Sequence, residues 1–302
     1  MFSVAITGEI GSGKSTLAKI WGDIGANVLD LDSLAKKQWS RHEIREAATD
    51  RWGLDLYPGG EPDYKQLAGR VYRSAEDYRF ATGLIHPGTM TETARIFHNL
   101  GGWVVFEIPL LYETGWLDLI DCAVCVTAAD DLKRSIAGGR GWSEDELSVR
   151  ESFMIESSKK QAMSDIVMQN TGSLEEWEAR ARELGALLRR MSTVRELSVY
   201  CKDEGEARAI MSALVGGRLA AGANITETES MYHWRGEITK SPEYLLRAFT
   251  VEDCLREATR RVREIHSYEV PAIMAREIGR SDYRLLKWVA DNCGDERKAE
   301  RS

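Results

Sequence analysis

The sequence is poor in cysteine, in long apolar runs and in excess basic charge, and each shortage excludes a class of protein. Five cysteines, Cys122, Cys125, Cys201, Cys254 and Cys293, are too few and odd in number for a disulfide framework, and they suit a reducing compartment. Cys122 and Cys125 form a C-x-x-C, but it sits inside "DCAVCVTA". That run reads as a buried strand, and no second pair follows at zinc spacing, so both are assigned to the core. No stretch approaches the roughly 18 apolar residues of a membrane span, because charges such as Glu107 and Asp118 interrupt. The N-terminus has no basic start, and its apolar run is about half of what a signal peptide needs. These absences point to a cytoplasmic protein with no membrane partner. Acidic residues outnumber basic ones, 48 to 40, and the formal net charge of -8 argues against a nucleic-acid partner. No internal repeat is present.

What remains, 43% apolar and 29% charged residues over a length of 302, is a soluble globular composition with room for two domains. Up to about residue 190, short apolar runs alternate with helix-like segments. "FSVAIT", "ANVLDLD", "GWVVFEIP", "DCAVCVTA" and the shorter "SDIVMQN" read as strands. Continuous rather than alternating apolar strands separated by helices predict an α/β fold with a parallel sheet covered on both faces. Residues 33–100 exceed one crossover and predict a mostly helical insertion over the sheet's carboxyl edge. "SLEEWEARARELGALLRRM" predicts one amphipathic helix capped by Ser173. Beyond Met191 the pattern changes. "VRELSVYCK", "LAAGANITETES", "YHWRGEIT" followed by "EYLLRAFT", and "VPAIMAREI" read as strands, with helices between and after them. This predicts a small ferredoxin-like α+β domain. The expected division is residues 1–192, residues 193–294 and a frayed tail, 295–302.

"GEIGSGKST" satisfies G-x-x-x-x-G-K-[ST] at Gly8, Gly13, Lys14 and Ser15, with a strand before it and a helix after it. Such a loop turns its N–H groups onto phosphate oxygens, and the helix N-terminus behind adds positive partial charge. Gly11, Ser12, Gly13, Lys14, Ser15 and Thr16 are therefore the expected ATP-binding residues. Lys14 would reach the β- and γ-phosphates, and the Ser15 hydroxyl would ligate Mg²⁺. Asp30 and Asp32, two apart, are expected on one face of the second strand, at the edge where a carboxylate takes a proton from an acceptor hydroxyl. The other reading of either aspartate is a cap on the helix starting near Ser33.

"AITGEIGSGKST", "GANVLDLDSLAKK", "LIHP" and "FEIPLLYE", in this order, resemble the dephospho-CoA kinase family, and the likeness continues through "DLKRS", "GWSEDE" and "NTGS". The resemblance implies transfer of the γ-phosphoryl group of ATP to the ribose 3′-hydroxyl of dephospho-CoA, the last step of CoA synthesis. It implies Asp32 as the acceptor-side general base, with His86, Pro109, Leu110 and Glu113 at the acceptor site. Glu107 would hold Mg²⁺ through water. Arg134 and Arg140 are the candidate cations for the developing charge. The chain departs from the family at Gly138 and Gly139, where a lid arginine is usual, at Met154 (glutamine), at Gln169 (aspartate) and at Tyr64 (arginine).

"GGRLAAGANI", "SMYHWRGEI", "EYLLRAFT" and "IHSYEVPAI" resemble the CutA family, a small trimeric protein linked by name to divalent-cation tolerance. Departures fall at Gly222 (cysteine usual), Phe249 (lysine) and Ser267 (proline). From the residues alone, Tyr232, Trp234, Tyr268 and Trp288 suit core or subunit contacts. His233, His266 and Glu269 are candidate ligands for Cu²⁺ or Zn²⁺ shared with a neighbouring subunit. The combined expectation is an ATP- and Mg²⁺-dependent dephospho-CoA kinase carried on a homotrimer. Two other readings stay open on the sequence: a nucleotide- or CoA-binding sensor on a metal-responsive trimer, and a kinase of another small hydroxyl metabolite.

Overall fold

The computed structural model describes residues 1–139, 141–279 and 281–294; the expected frayed tail, 295–302, lies outside them. The chain divides into two compact units, Ser3–Gly185 on one side and Met1–Phe2 with the chain from Ala186 onward on the other. No helix among the described residues is long and apolar enough to cross a membrane.

The first unit is built on strands β1 (Phe2–Gly8), β2 (Asn27–Asp30), β3 (Trp103–Glu107), β4 (Cys122–Ala128) and β5 (Ile166–Asn170), in the spatial order β2-β3-β1-β4-β5. β1 pairs in parallel with β4, β2 with β3, and β4 with β5. Every residue of β1 is buried, as is β4 from Cys122 to Val126, which is why both read as unbroken apolar runs. Cys122 and Cys125 are buried and free, and burial is the first cause raising both thiols above their ordinary range. From β1 the chain first builds out to β2 on one side and later to β4 and β5 on the other. The carboxyl end of β1 therefore lies where an open α/β sheet receives its ligand.

The helices are α1 (Lys14–Asp23), α2 (Leu31–Gln38), α3 (His42–Trp52), α4 (Tyr64–Val71), α5 (Ala75–Phe97), α6 (Leu111–Thr114), α7 (Asp130–Gly139), α8 (Glu144–Glu151), α9 (Ser157–Met163) and α10 (Leu174–Met191). α2 to α5 form the insertion. Trp39, Trp52, Leu56 and Leu67 give it an apolar core of its own. α5 runs unbroken through Pro87, so His86 is a mid-helix residue. Ser173 caps α10 as expected: its hydroxyl accepts from Glu176 N at 3.2 Å while Glu176 Oε2 accepts from Ser173 N at 2.7 Å.

The second unit contains β6 (Val194–Cys201), α11 (Glu204–Gly216), β7 (Gly222–Trp234), β8 (Glu237–Val251), α12 (Glu252–Ile265), β9 (Ile273–Glu277) and α13 (Tyr283–Asn292). The antiparallel order β7-β8-β6-β9, with the chain order βαββαβ, is ferredoxin-like. The sequence suggested separate strands at "YHWRGEIT" and "EYLLRAFT". Instead, Tyr232 to Trp234 complete β7, and Glu237 onward is one long strand. Trp234 pairs with Glu237 across a two-residue turn in which Arg235 (φ 50°) and Gly236 (φ 89°) are both left-handed, the geometry that matches strand twist.

Candidate active site

The phosphate loop is held from three directions. A Cβ on Gly8 (φ 130°) would lie 2.0 Å from the Val126 carbonyl, and one on Gly11 (φ 72°) 2.9 Å from that of Lys133. Gly13 (φ 97°) caps α1 in the left-handed region and lies against Asn170, whose Nδ2 donates to Ser12 O at 2.9 Å. Ser12 is buried and donates its hydroxyl to Glu9 O at 2.9 Å. Lys14 Nζ rests on the loop's own carbonyls, Glu9 O at 2.5 Å and Gly8 O at 3.4 Å. Ser15 and Thr16, in the first turn of α1, are exposed.

Glu9 secures the loop from behind. Its Oε2 accepts from Ala128 N at 3.1 Å, and its Oε1 pairs with Lys133 Nζ at 3.2 Å. The sequence reading missed Glu9, Lys133 and Asn170 as supports. All three lie inside quoted motifs, Glu9 in "GEIGSGKST", Lys133 in "DLKRS" and Asn170 in "NTGS", but none of these motifs marks them as supports.

At the carboxyl edge of β3, Glu107 Oε1 accepts the Ser15 hydroxyl at 2.6 Å. Burial is the first cause lifting the Glu107 carboxyl above its ordinary range; Ser15 opposes it, and the Asp30 and Asp32 carboxylates add to it. Asp30 and Asp32 do not share a strand face. β2 ends at Asp30, which caps α2 by accepting from Ser33 N at 3.0 Å and from the Ser33 hydroxyl at 2.5 Å. Asp32 is an exposed residue in the first turn of α2. The strand stops there because the cap satisfies α2's first donors.

The residues expected on the acceptor side come from two elements. Pro109 and Leu110 link β3 to α6, and Glu113 lies on α6; the Pro109 carbonyl accepts from Thr7 Oγ1 at 3.3 Å. Glu113 Oε1 pairs with the buried Lys160 at 2.8 Å and accepts from Ile155 N at 2.9 Å. His86 is half-buried on α5, and burial lowers its pKa. Tyr64 opens α4, with its hydroxyl donating to Lys36 O at 3.4 Å.

The lid candidates are less closely placed. Arg134 on α7 is half-exposed and pairs loosely with Glu144 at 3.7 Å and Asp131 at 3.8 Å. Arg140 lies outside the described residues. Gly138 and Gly139 end α7, and Gln169 is exposed on β5. Behind the lid segment, Arg150 lies over both Trp142 (4.3 Å) and Tyr72 (4.7 Å), while Phe153 stacks on Tyr78 at 4.8 Å.

In the second unit, the proposed ligands His233, His266 and Glu269 do not converge within one chain. Among the described residues the group with metal-ligating spacing is Cys201, Glu206 and His266, all buried. Glu269 instead pairs with Arg235 at 3.3 Å on the surface. The Cys201 cluster is already satisfied. His266 Nε2 faces the Tyr200 carbonyl at 2.8 Å and must donate, so Nδ1 is the nitrogen accepting from Tyr268 N at 3.1 Å. Glu206 accepts from Ser267 N at 2.6 Å and Lys202 N at 3.1 Å, and burial first of all pushes the Cys201 thiol up to about 12. A proline at 267 would lack the N–H that fills Glu206. As it stands the cluster does not fit Cu²⁺ or Zn²⁺, which would have to displace these bonds. At Gly222, a Cβ would lie 2.9 Å from the Trp288 ring, so that ring occupies the space a cysteine side chain would need.

Comparison with known proteins divides the chain in the same two parts. The family profile described as dephospho-CoA kinase matches residues 2–176, and that of the CutA1 divalent ion tolerance protein matches residues 197–292. A dephospho-CoA kinase of Thermus thermophilus is 34% identical over 190 residues, 61% of this chain and 89% of the relative. The crystal structure of TT1252 from Thermus thermophilus is 32% identical, with a TM-score of 0.52, over 61% of this chain and 96% of that one. The divalent cation tolerance protein CutA1 of the same species is 34% identical, with a TM-score of 0.33, over 33% of this chain and 99% of that one.

Proposed function

The chain belongs to the dephospho-CoA kinase family over residues 2–176 and carries a CutA-like domain after it; from this premise we propose that it phosphorylates the ribose 3′-hydroxyl of dephospho-CoA with ATP. It is a phosphotransferase with an alcohol acceptor. One observation carries the residue assignment: the phosphate loop, the Ser15–Glu107 bond and Asp32 meet at the carboxyl edge of β1 to β3.

In this reading the loop N–H groups and Lys14 hold the β- and γ-phosphates, Lys14 leaving the carbonyls of Gly8 and Glu9 to do so. Asp32 takes the proton of the ribose hydroxyl as its oxygen bonds to the γ-phosphorus. The bond from that phosphorus to the bridging oxygen breaks, and ADP leaves with the electron pair. Ser15 and Glu107 fit a magnesium ion: a hydroxyl and a half-buried carboxylate are in contact, and Asp30 and Asp32 add negative charge close by. Bound there with ATP, Mg²⁺ would neutralise charge on the phosphates. Arg134 is the cation available on α7. All five cysteines are buried and none is in a disulfide among the described residues, which accords with a reducing compartment such as the cytoplasm.

For the second domain we propose self-association, as a homotrimer, and not cation binding. β6 pairs with β8 only as far as Cys201 opposite Tyr244, while β7 and β8 stay paired out to Trp234 opposite Glu237. The ribbon between is two strands wide and exposes Met231 (66%) and Ile238 (65%). A two-stranded ribbon with an apolar surface is marginal alone in water and is stabilised by a partner.

The test is mass analysis of products after incubation with Mg·ATP and dephospho-CoA, with Lys14→Ala as the blank. A gain of one phosphate, absent from the blank, is expected. ATP bound with no gain would sink the assignment of the acceptor.

A further inference from the structure

The most deeply buried charge in the kinase unit that the proposed mechanism leaves unused is Lys160. Its side chain is 1% exposed, whereas its neighbour Lys159 on α9 is 68% exposed. An ammonium in that position carries a large desolvation cost and persists only where its partners are well placed. Two partners in the segment after β3 hold it: Lys160 Nζ donates to Pro109 O at 2.7 Å and to Glu113 Oε1 at 2.8 Å. The second anchor on Glu113 comes from the backbone just before α9, where Ile155 N donates to the same oxygen at 2.9 Å. One carboxylate oxygen therefore holds two donors. The other, Oε2, is buried and has no hydrogen-bond partner among the described residues. A buried acceptor left open is costly, and a carboxylate oxygen left open beside the acceptor segment has a use when a ligand donor fills it. Glu113 also lies near the insertion, since its charge adds to burial in pushing the Tyr78 phenol up to about 12.

We propose that Lys160 is a positioning residue for the acceptor substrate. By clamping Glu113 Oε1 and the Pro109 carbonyl, it leaves Glu113 Oε2 to accept a hydrogen bond from a hydroxyl or N–H of dephospho-CoA. Lys160 itself touches no substrate. Its charge acts through Glu113, so its loss shows in acceptor affinity and not in nucleotide affinity. The inference rests on the acceptor-side reading of Pro109 to Glu113 given above.

The experiment measures binding of dephospho-CoA and of ATP, and the KM of each, in the full chain carrying Lys160→Met, Lys160→Arg or Glu113→Gln. Lys160→Met is expected to weaken dephospho-CoA about tenfold or more, the scale of a lost bond to a charged group, with ATP affinity within about twofold of wild type. Lys160→Arg should recover part of that loss. Glu113→Gln should show the same acceptor defect alone, and should add little to Lys160→Met. Lowered thermal stability with both KM values unchanged, or an equal rise in both, would overturn the proposal. If Lys160→Met does not fold, Glu113→Gln and Lys160→Arg decide it by the same split. A wild type that converts dephospho-CoA while the variants keep its acceptor KM sinks this inference alone. A wild type that neither binds nor converts dephospho-CoA sinks both this and the proposed function.

Discussion

Asp30 stands in register with Glu107 across the parallel pair β2–β3 and spends its own carboxylate on Ser33, so that Asp32, two residues on, has already entered α2. The two aspartates are thus separated in role. Asp30→Ala removes a helix cap and is expected to cost about 1 kcal/mol of stability. Asp32→Asn should leave thermal stability close to wild type and lower kcat by roughly 10²- to 10⁴-fold, the usual span for a lost general base. Thermal melts and steady-state rates on the two variants check the contrast. Equal loss of activity in both would show that the cap, and not the base, governs the rate.

Glu107 yields a pH dependence of defined sign. Its folded-state pKa lies above the ordinary carboxylate value of 4.5, with burial as the first cause. The folded state therefore holds this proton more tightly than the unfolded one. Its favourable contribution is complete below the ordinary value and is lost as pH rises through the folded value. Glu107→Gln should melt higher than wild type near ~pH 8, with the gap closing toward ~pH 4, yet turn over poorly. A gap that widens in acid would reverse the assignment.

The Glu9–Lys133 pair predicts an effect confined to nucleotide. Both side chains are largely buried, and Glu9 also takes the Ala128 N–H, so the pair fixes the back of the phosphate loop. Glu9→Gln and Lys133→Met should each raise the KM for ATP by about tenfold, with less than additive effect together. The KM for dephospho-CoA is the control. Sedimentation is a second control, because a change of assembly would move both constants.

The exposed ribbon predicts a change of oligomeric state. Met231→Glu combined with Ile238→Lys places charge where an apolar contact is proposed and should release single chains in sedimentation equilibrium, with the fold retained by circular dichroism. A mass unchanged by both substitutions would remove the ribbon from the interface.

Much of this protein was written in short-range pattern. Unbroken valine-rich runs between helices specify buried parallel strands, because a strand covered on both faces has no polar side. Gly8, Gly11 and Gly13 around Lys14 and Ser15 specify a phosphate loop, because only glycine allows the left-handed turns and close backbone approach found there. Ser173 with Glu176 specifies a helix start.

Contacts that exist only in the folded chain decided the rest. Nothing local distinguishes Lys160 from Lys159, but one is sealed against Glu113 and Pro109 and the other is in water. Asp30 and Asp32 look alike in a strand-like run, and the end of β2 is set by which carboxylate reaches Ser33. His266 resembles a metal ligand by type, until the Tyr200 carbonyl and the Tyr268 N–H occupy both ring nitrogens. In each case residue type supplies the chemistry available and the folded chain decides which partner uses it; for Lys160 and His266 the reason is burial, which makes an unsatisfied polar group costly to leave open.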